Sequence, residues 1–192
     1  LLDLSNWKAI NLADGLKANW VVDATGTEVL QTVNSVPSVI ISDIELTNDV
    51  MEGIWRVDTG NDDDFMGFAF GYQDEGHFYL FDWKQQDQSI SNRMGLQGMC
   101  VKVVNTDETL SEYDFWNTAG VGEHIKTLYS NRISYKDYTD YGFTLKFQPG
   151  RFQITIKEGE TVIETIEIED DTYTTGKFGF YNCSQEMVRY KG

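Results

Sequence analysis

Three consecutive carboxylates, Asp62-Asp63-Asp64, run directly into the apolar, glycine-spaced segment Phe65-Met66-Gly67-Phe68-Ala69-Phe70-Gly71-Tyr72-Gln73. Adjacent anions repel, so a folded loop holds them at low cost only where they face water or where a hard cation neutralises them. Calcium (Ca2+) is the natural candidate, because it takes about six to eight oxygen ligands in a flexible shell. On an extended loop Asp62 and Asp64 share a side, which leaves Asp63 opposed or on a second ion. Asn61, Asp58 and Asp74 are the neighbours that complete such a shell from adjoining loops. Asp82 is a further candidate. It falls on an otherwise apolar strand, on the side of Phe78 and Leu80, where an unpaired carboxylate must reach water, a cation or a donor. Ligation from the sheet and plain exposure at a sheet face both meet that need. His77 and His124 read as surface loop residues.

Trp116, Tyr79 and Trp83 are the candidates for touching a sugar or a peptide, since aromatic rings combine apolar area with a polar edge. Most of the many aromatic residues must be core, and Trp116, in an irregular stretch, is the preferred exposed ring. Enzymatic chemistry has one hook, Thr165-Ile166-Glu167-Ile168-Glu169, which resembles the Glu-x-Asp-x-Glu strand of jelly-roll retaining glucanases. Its first acidic position is Thr165. Glu167 and Glu169 then lie roughly 6.5 to 7 Å apart by strand rise, wider than the roughly 5 to 5.5 Å of retaining carboxylates. They read as the solvated face of a strand, and no catalytic residue is assigned.

The elements that must position these groups are strands. Seventeen glycines and many Asn and Asp residues punctuate short runs rich in Val, Ile, Phe, Tyr and Thr, while proline is almost absent. Tyr141, Phe143, Leu145 and Phe147 alternate with Thr144, Lys146 and Gln148, which predicts a half-buried antiparallel strand. A turn at Pro149-Gly150 leads to Phe152, Ile154 and Ile156, and a second at Glu158-Gly159 to Val162–Glu169, completing a meander. Further strands are predicted over Trp20–Asp23, Val29–Val33, Ile40–Leu46, Met51–Asp58, Phe65–Tyr72, Phe78–Lys84, Met99–Val104 and Phe178–Asn182. Within Thr106–Tyr129, Glu108–Phe115 and Glu123–Tyr129 each suit a turn or two of helix in an excursion that caps the sheets. The expected fold is all-β, a two-sheet antiparallel jelly-roll sandwich spanning residues 1–192 as a single domain.

Fifteen Lys and Arg against 31 Asp and Glu give a net charge of −16, the opposite of a nucleic-acid footprint. No apolar stretch approaches the length of a membrane span, so no membrane insertion is expected. The start at Leu1 and the abrupt end at Lys191-Gly192 suit a module with neighbouring domains in a longer secreted chain. Cys100 and Cys183 sit in apolar strands away from metal-ligand spacing, and read as buried free thiols, with a disulfide as the lesser alternative.

From Asn19 onward the chain resembles the C-terminal, lectin-like domain of thrombospondins. The similarity is collinear: Asn19-Trp20-Val21-Val22, Val29-Leu30-Gln31-Thr32-Val33-Asn34, Asp62-Asp63-Asp64, Gly67-Phe68, Phe70-Gly71-Tyr72-Gln73, Trp83-Lys84-Gln85, Val101-Lys102-Val103-Val104-Asn105, Lys136-Asp137 and Ser184-Gln185-Glu186-Met187. The resemblance implies a concanavalin- or L-type-lectin-like jelly roll that binds calcium. It further implies adhesion outside the cell, through a glycan or an extracellular protein, without catalysis. The chain departs from the family's cell-binding strand Arg-Phe-Tyr-Val-Val-Met-Trp-Lys, having His77 and Asp82 in place of Arg and Met. It also has no Arg-Gly-Asp motif. These departures, with the acidity, suit a module of a large calcium-dependent bacterial adhesin.

Overall fold

A computed structural model describes residues 1–118 and 124–192. The first half of the chain supplies β1 (Lys8–Asn11), β2 (Trp20–Val22), β3 (Val29–Gln31), β4 (Ser38–Leu46), β5 (Asp49–Val57), β6 (Phe65–Asp74) and β7 (His77–Lys84). A small hairpin follows, β8 (Gln88–Ile90) and β9 (Arg93–Gly95), then β10 (Gly98–Asn105) and a single helical turn, α1 (Glu112–Phe115). The remainder is β11 (Ile125–Ser130), β12 (Tyr141–Gln148), β13 (Arg151–Glu158), β14 (Thr161–Glu169), β15 (Gly176–Cys183) and β16 (Val188–Lys191).

Two seven-stranded antiparallel sheets stack face to face. The first runs β1-β4-β15-β6-β7-β10-β11 and the second β14-β13-β12-β5-β16-β3-β2. Alternation works as expected along β12, where Tyr141, Phe143, Leu145 and Phe147 enter the core between the sheets. Opposite them Met66, Phe68 and Phe70 project from β6, and Phe68 stacks on Phe143 at 4.6 Å between ring centroids. The two-sheet jelly roll is therefore the fold.

The central strands of the first sheet, β15, β6, β7 and β10, are buried on both sides, which explains why β6 reads as a continuous apolar run rather than an alternating one. Its outer face carries a second apolar cluster, with Phe65, Ala69, Phe78, Leu80 and Tyr181 packed beneath Leu110, Phe115 and Trp116. Those last three belong to the excursion after β10. The expected helix ending at Phe115 shrinks to α1, whose Asp114 carboxylate accepts from the Ser111 N–H at 2.8 Å. The helix expected over Glu123–Tyr129 is replaced by β11, paired with β10; Glu123 itself lies outside the described residues. Ile125, Leu128 and Tyr129 mimic helical spacing, but the open edge of β10 outweighs local preference.

Two glycines on β6 are demanded by geometry. A Cβ on Gly67 would lie 1.9 Å from the Phe81 carbonyl oxygen, and Gly71 adopts φ +57 where the strand bulges.

Candidate functional site

Asp62, Asp63 and Asp64 occupy the loop that feeds β6, at one end of the sandwich. One oxygen from each lies within 4.8 Å of the others. All three converge, so Asp63 is not opposed to the other two. The segment precedes the strand and does not carry its alternation.

Five stretches of chain build this corner. Asp62 Oδ2 accepts from the Glu186 N–H at 3.0 Å and from Asn34 Nδ2 at 3.1 Å. Gln185 Oε1 accepts from the Asp64 N–H at 2.6 Å and from the Tyr135 hydroxyl at 3.2 Å, while that hydroxyl also reaches the Asp64 carbonyl at 2.9 Å. Ser184 and Met187, at φ 53 and 56, hold the left-handed turns that aim Gln185 and Glu186 inward. The Gln85 N–H donates to the Asp63 carbonyl at 3.0 Å.

Lys84, at the end of β7, enters the cluster from below with a fully buried side chain. Its Nζ lies 2.5 Å from Asp64 Oδ1, 3.6 Å from Asp63 Oδ1 and 3.3 Å from the Asp63 carbonyl. A single ammonium against three carboxylates leaves negative charge uncancelled. Burial raises the Asp62 pKa, and burial pushes Asp64 up to about 7, with Lys84 pulling it down and Asp62 and Asp63 adding to the rise. A set of oxygen donors with surplus negative charge, held rigidly by backbone hydrogen bonds, fits a hard divalent cation.

The other candidate ligands do not join this cluster in the geometry seen. Asn61 is adjacent and exposed. Asp58 is engaged by Arg56, at 2.6 Å, and by Arg189. Asp74 ends β6, roughly 30 Å away by strand rise, where it binds His77 Nδ1 at 2.7 Å and lines a cleft of about 600 Å³ with Leu12, Tyr72 and Asp107. His77 and His124 thus each lie against a carboxylate, His124 Nε2 being 3.3 Å from Glu108 Oε2. Asp82 lies on the outer face of the first sheet as its spacing implies, but it is neither exposed nor in the acidic cluster. Lys102 Nζ donates to its Oδ2 at 2.6 Å under the excursion.

The ligand-facing aromatics are corrected as well. Trp116 is 2 % exposed, because it meets Phe65 edge-on at 5.1 Å and covers Lys84 with its ring. Tyr79 is buried against Phe70 and Phe152, its hydroxyl donating to Asp170. Trp83 is buried among Trp55, Tyr135 and Tyr141, with Nε1 donating to the Ile133 carbonyl at 2.7 Å. Cys100 and Cys183 are buried free thiols. Glu167 and Glu169 are exposed on the edge strand β14, as expected.

Residues 15–192 match the family described as the thrombospondin C-terminal region. Thrombospondin-2 of Bos taurus is 32% identical over 98% of this chain, and thrombospondin-2 of Homo sapiens 34% identical over 90%. The chain spans only 18% and 16% of those proteins. Among solved structures, the carbohydrate binding module CBM66 from Bacillus subtilis superposes with a TM-score of 0.65 at 12% identity, over 97% of this chain and 95% of that one. The VIP36 exoplasmic/lumenal domain in its Ca2+/Man3GlcNAc-bound form gives 0.61 at 11% identity, over 96% and 84%. At such identities the likeness is one of fold.

Proposed function

The chain belongs to the thrombospondin C-terminal family, and from that premise we propose that it is a lectin-like adhesion module that binds calcium and takes a glycan or protein ligand. It is extracellular, in keeping with relatives that include cartilage oligomeric matrix protein of Bos taurus, 31% identical over 88% of this chain. The observation that carries the calcium reading is the convergence of Asp62, Asp63 and Asp64 on one point, with Lys84 cancelling only part of their charge. These three carboxylates would hold the ion, which would supply the missing positive charge and a fixed point for the surrounding loops. Neighbouring domains of a longer chain are its natural covalent partners.

Calorimetric titration with calcium, followed by melting with and without chelator, tests this reading. At a free calcium concentration about 100 times Kd the ion adds about 2.7 kcal/mol, or roughly 5 to 10 °C in melting temperature for a chain of this length. An unchanged melting curve after chelation, with no heat of binding, removes calcium from the proposal.

A second reading is favoured by the burial of Trp116, Tyr79 and Trp83: a module that assembles or spaces a longer adhesive protein and binds nothing external. It shares the calcium stabilisation but gives no hits on glycan arrays or matrix-peptide panels. Catalysis is assigned to neither reading, since Glu167 and Glu169 stand exposed on an edge strand, with Glu167 accepting from Gln153.

A further inference from the structure

Lys84 is an unusual tenant for a buried position. Its ammonium has four oxygen neighbours: Asp64 Oδ1 at 2.5 Å, the Asp63 carbonyl at 3.3 Å, Gln88 Oε1 at 3.4 Å and Asp63 Oδ1 at 3.6 Å. Two carboxylates, a backbone carbonyl and an amide oxygen make a shell of the kind a small cation takes. On its other side the ammonium faces rings, with the centroid of Trp116 at 4.9 Å and that of Phe65 at 5.5 Å. Lys84 is therefore the group that touches both the acidic corner and the segment folded over the first sheet.

We propose that Lys84 is a resident cation that limits how tightly the acidic corner holds a divalent ion and relays the ion's presence to Trp116. This deepens the calcium reading and rests on it. A divalent ion on Asp62, Asp63 and Asp64 draws on the same Asp63 and Asp64 oxygens that Lys84 uses, so ion and ammonium compete for electron density and repel each other. The repelled ammonium leans on the rings beside it, of which the Trp116 face is the nearer. Binding at the corner thereby alters the packing of Ser111–Thr118, which is also fastened to the sheet where Lys102 Nζ donates to the Phe115 carbonyl at 3.1 Å. Lys84 acts here as a positioning residue, since the carboxylates are the proposed ligands.

Calcium titration of the parent protein, Lys84→Met and Lys84→Arg decides the matter, with two structural readouts. One is the emission of Trp116, isolated by subtracting Trp116→Phe; the other is amide exchange across Ser111–Thr118. In the parent, calcium changes both. Lys84→Met binds calcium about tenfold tighter or more, because a repelling unit charge has left the immediate neighbourhood of the ion, and both responses disappear. Should Lys84→Met fold only when calcium is present, the calcium dependence of its melting supplies the affinity. Lys84→Arg keeps the charge and stays within about threefold of the parent affinity, a difference well under 1 kcal/mol. Equal or weaker calcium binding by Lys84→Met, or an undiminished Trp116 response in it, overturns the proposal. A tenfold change in Lys84→Arg would also overturn it, by showing that charge is not the cause. Failure of the parent itself to bind calcium is a different result, and disposes of the calcium reading instead.

Discussion

Replacing Lys102 by methionine strips the first sheet of a fully buried cation and exposes the cost of Asp82. The Lys102 side chain is 0% exposed and that of Asp82 1%, and the ammonium bridges Asp82 Oδ2 at 2.6 Å to the Phe115 carbonyl at 3.1 Å. Asp82 Oδ1 has no hydrogen-bond partner among the described residues, so Lys102 is nearly all that compensates the carboxylate. Burial raises the pKa of Asp82, with Lys102 pulling it back. Breaking a buried pair from one side costs about 3–5 kcal/mol, or roughly 6 to 20 °C in melting temperature for a chain of this size. The double variant Asp82→Leu/Lys102→Met removes both charges and keeps apolar volume. It should return to within about 2 kcal/mol of the parent, the remainder being the Phe115 carbonyl left without its donor. Urea unfolding of the four proteins of the cycle, followed by circular dichroism, gives the coupling energy directly. The pH dependence has a definite sign. A carboxyl whose folded pKa is raised binds its proton more readily folded than unfolded, so the deficit of Lys102→Met relative to the parent shrinks as pH falls toward about 4. A single variant within about 1 kcal/mol of the parent, or a double as unstable as the single, would refute this account of the pair.

Three further outcomes are expected. Gly67→Ala forces a Cβ to 1.9 Å from the Phe81 carbonyl oxygen, so it should cost more than about 3 kcal/mol or abolish soluble expression; a normal melting curve would contradict the close approach. Asp58 is held below the usual carboxylate range, because Arg56 and Arg189 together outweigh the opposing effect of burial. Its contribution is present above the unfolded value of about 3.9 and fades as pH falls through the folded one. Asp58→Asn should therefore lose up to about 1 kcal/mol against the parent near neutral pH and close that gap in acid, as read by melting across a pH series. Burial pushes the Cys100 and Cys183 thiols up to about 12, so neither should react with iodoacetamide in the folded protein and both should after denaturation. Reductant should leave the melting temperature unchanged.

Strands of both sheets were legible in the sequence: β6, β7 and β10, buried on two faces, lie within two positions of the expected Phe65–Tyr72, Phe78–Lys84 and Met99–Val104. The meander of β12, β13 and β14 follows its alternating residues to within a position at each end, because one face of that sheet meets solvent. Four-residue β16 alternates too, with Val188 and Tyr190 inward and Arg189 and Lys191 less buried, but so short a run does not stand out from its surroundings. The fate of Asp82 was out of reach for a different reason. Its side of the sheet follows from Phe78 and Leu80, yet whether that side is wet depends on Leu110, Phe115 and Trp116 folding back from a separate segment. The acidic corner was half visible: Asp62, Asp63 and Asp64 announce themselves by charge density. Asn34, Lys84, Gln185 and Glu186 carry no such signal, although each lies within a stretch that resembles the thrombospondin domain. Polar residues that complete a site through backbone hydrogen bonds look ordinary until distant loops meet.

The last seventeen residues contribute an interior strand to each sheet, β15 between β4 and β6 and β16 between β5 and β3. Neither layer can zip up before residues 176–192 have left the ribosome, since the strands on either side lie more than a hundred positions earlier. Emerging chains must therefore wait with unpaired edges, a slow and cooperative route in which loop-closure entropy is met before any long-range pairing repays it. Loss of residues 176–192 would leave both layers split down the middle, whatever the integrity of everything upstream.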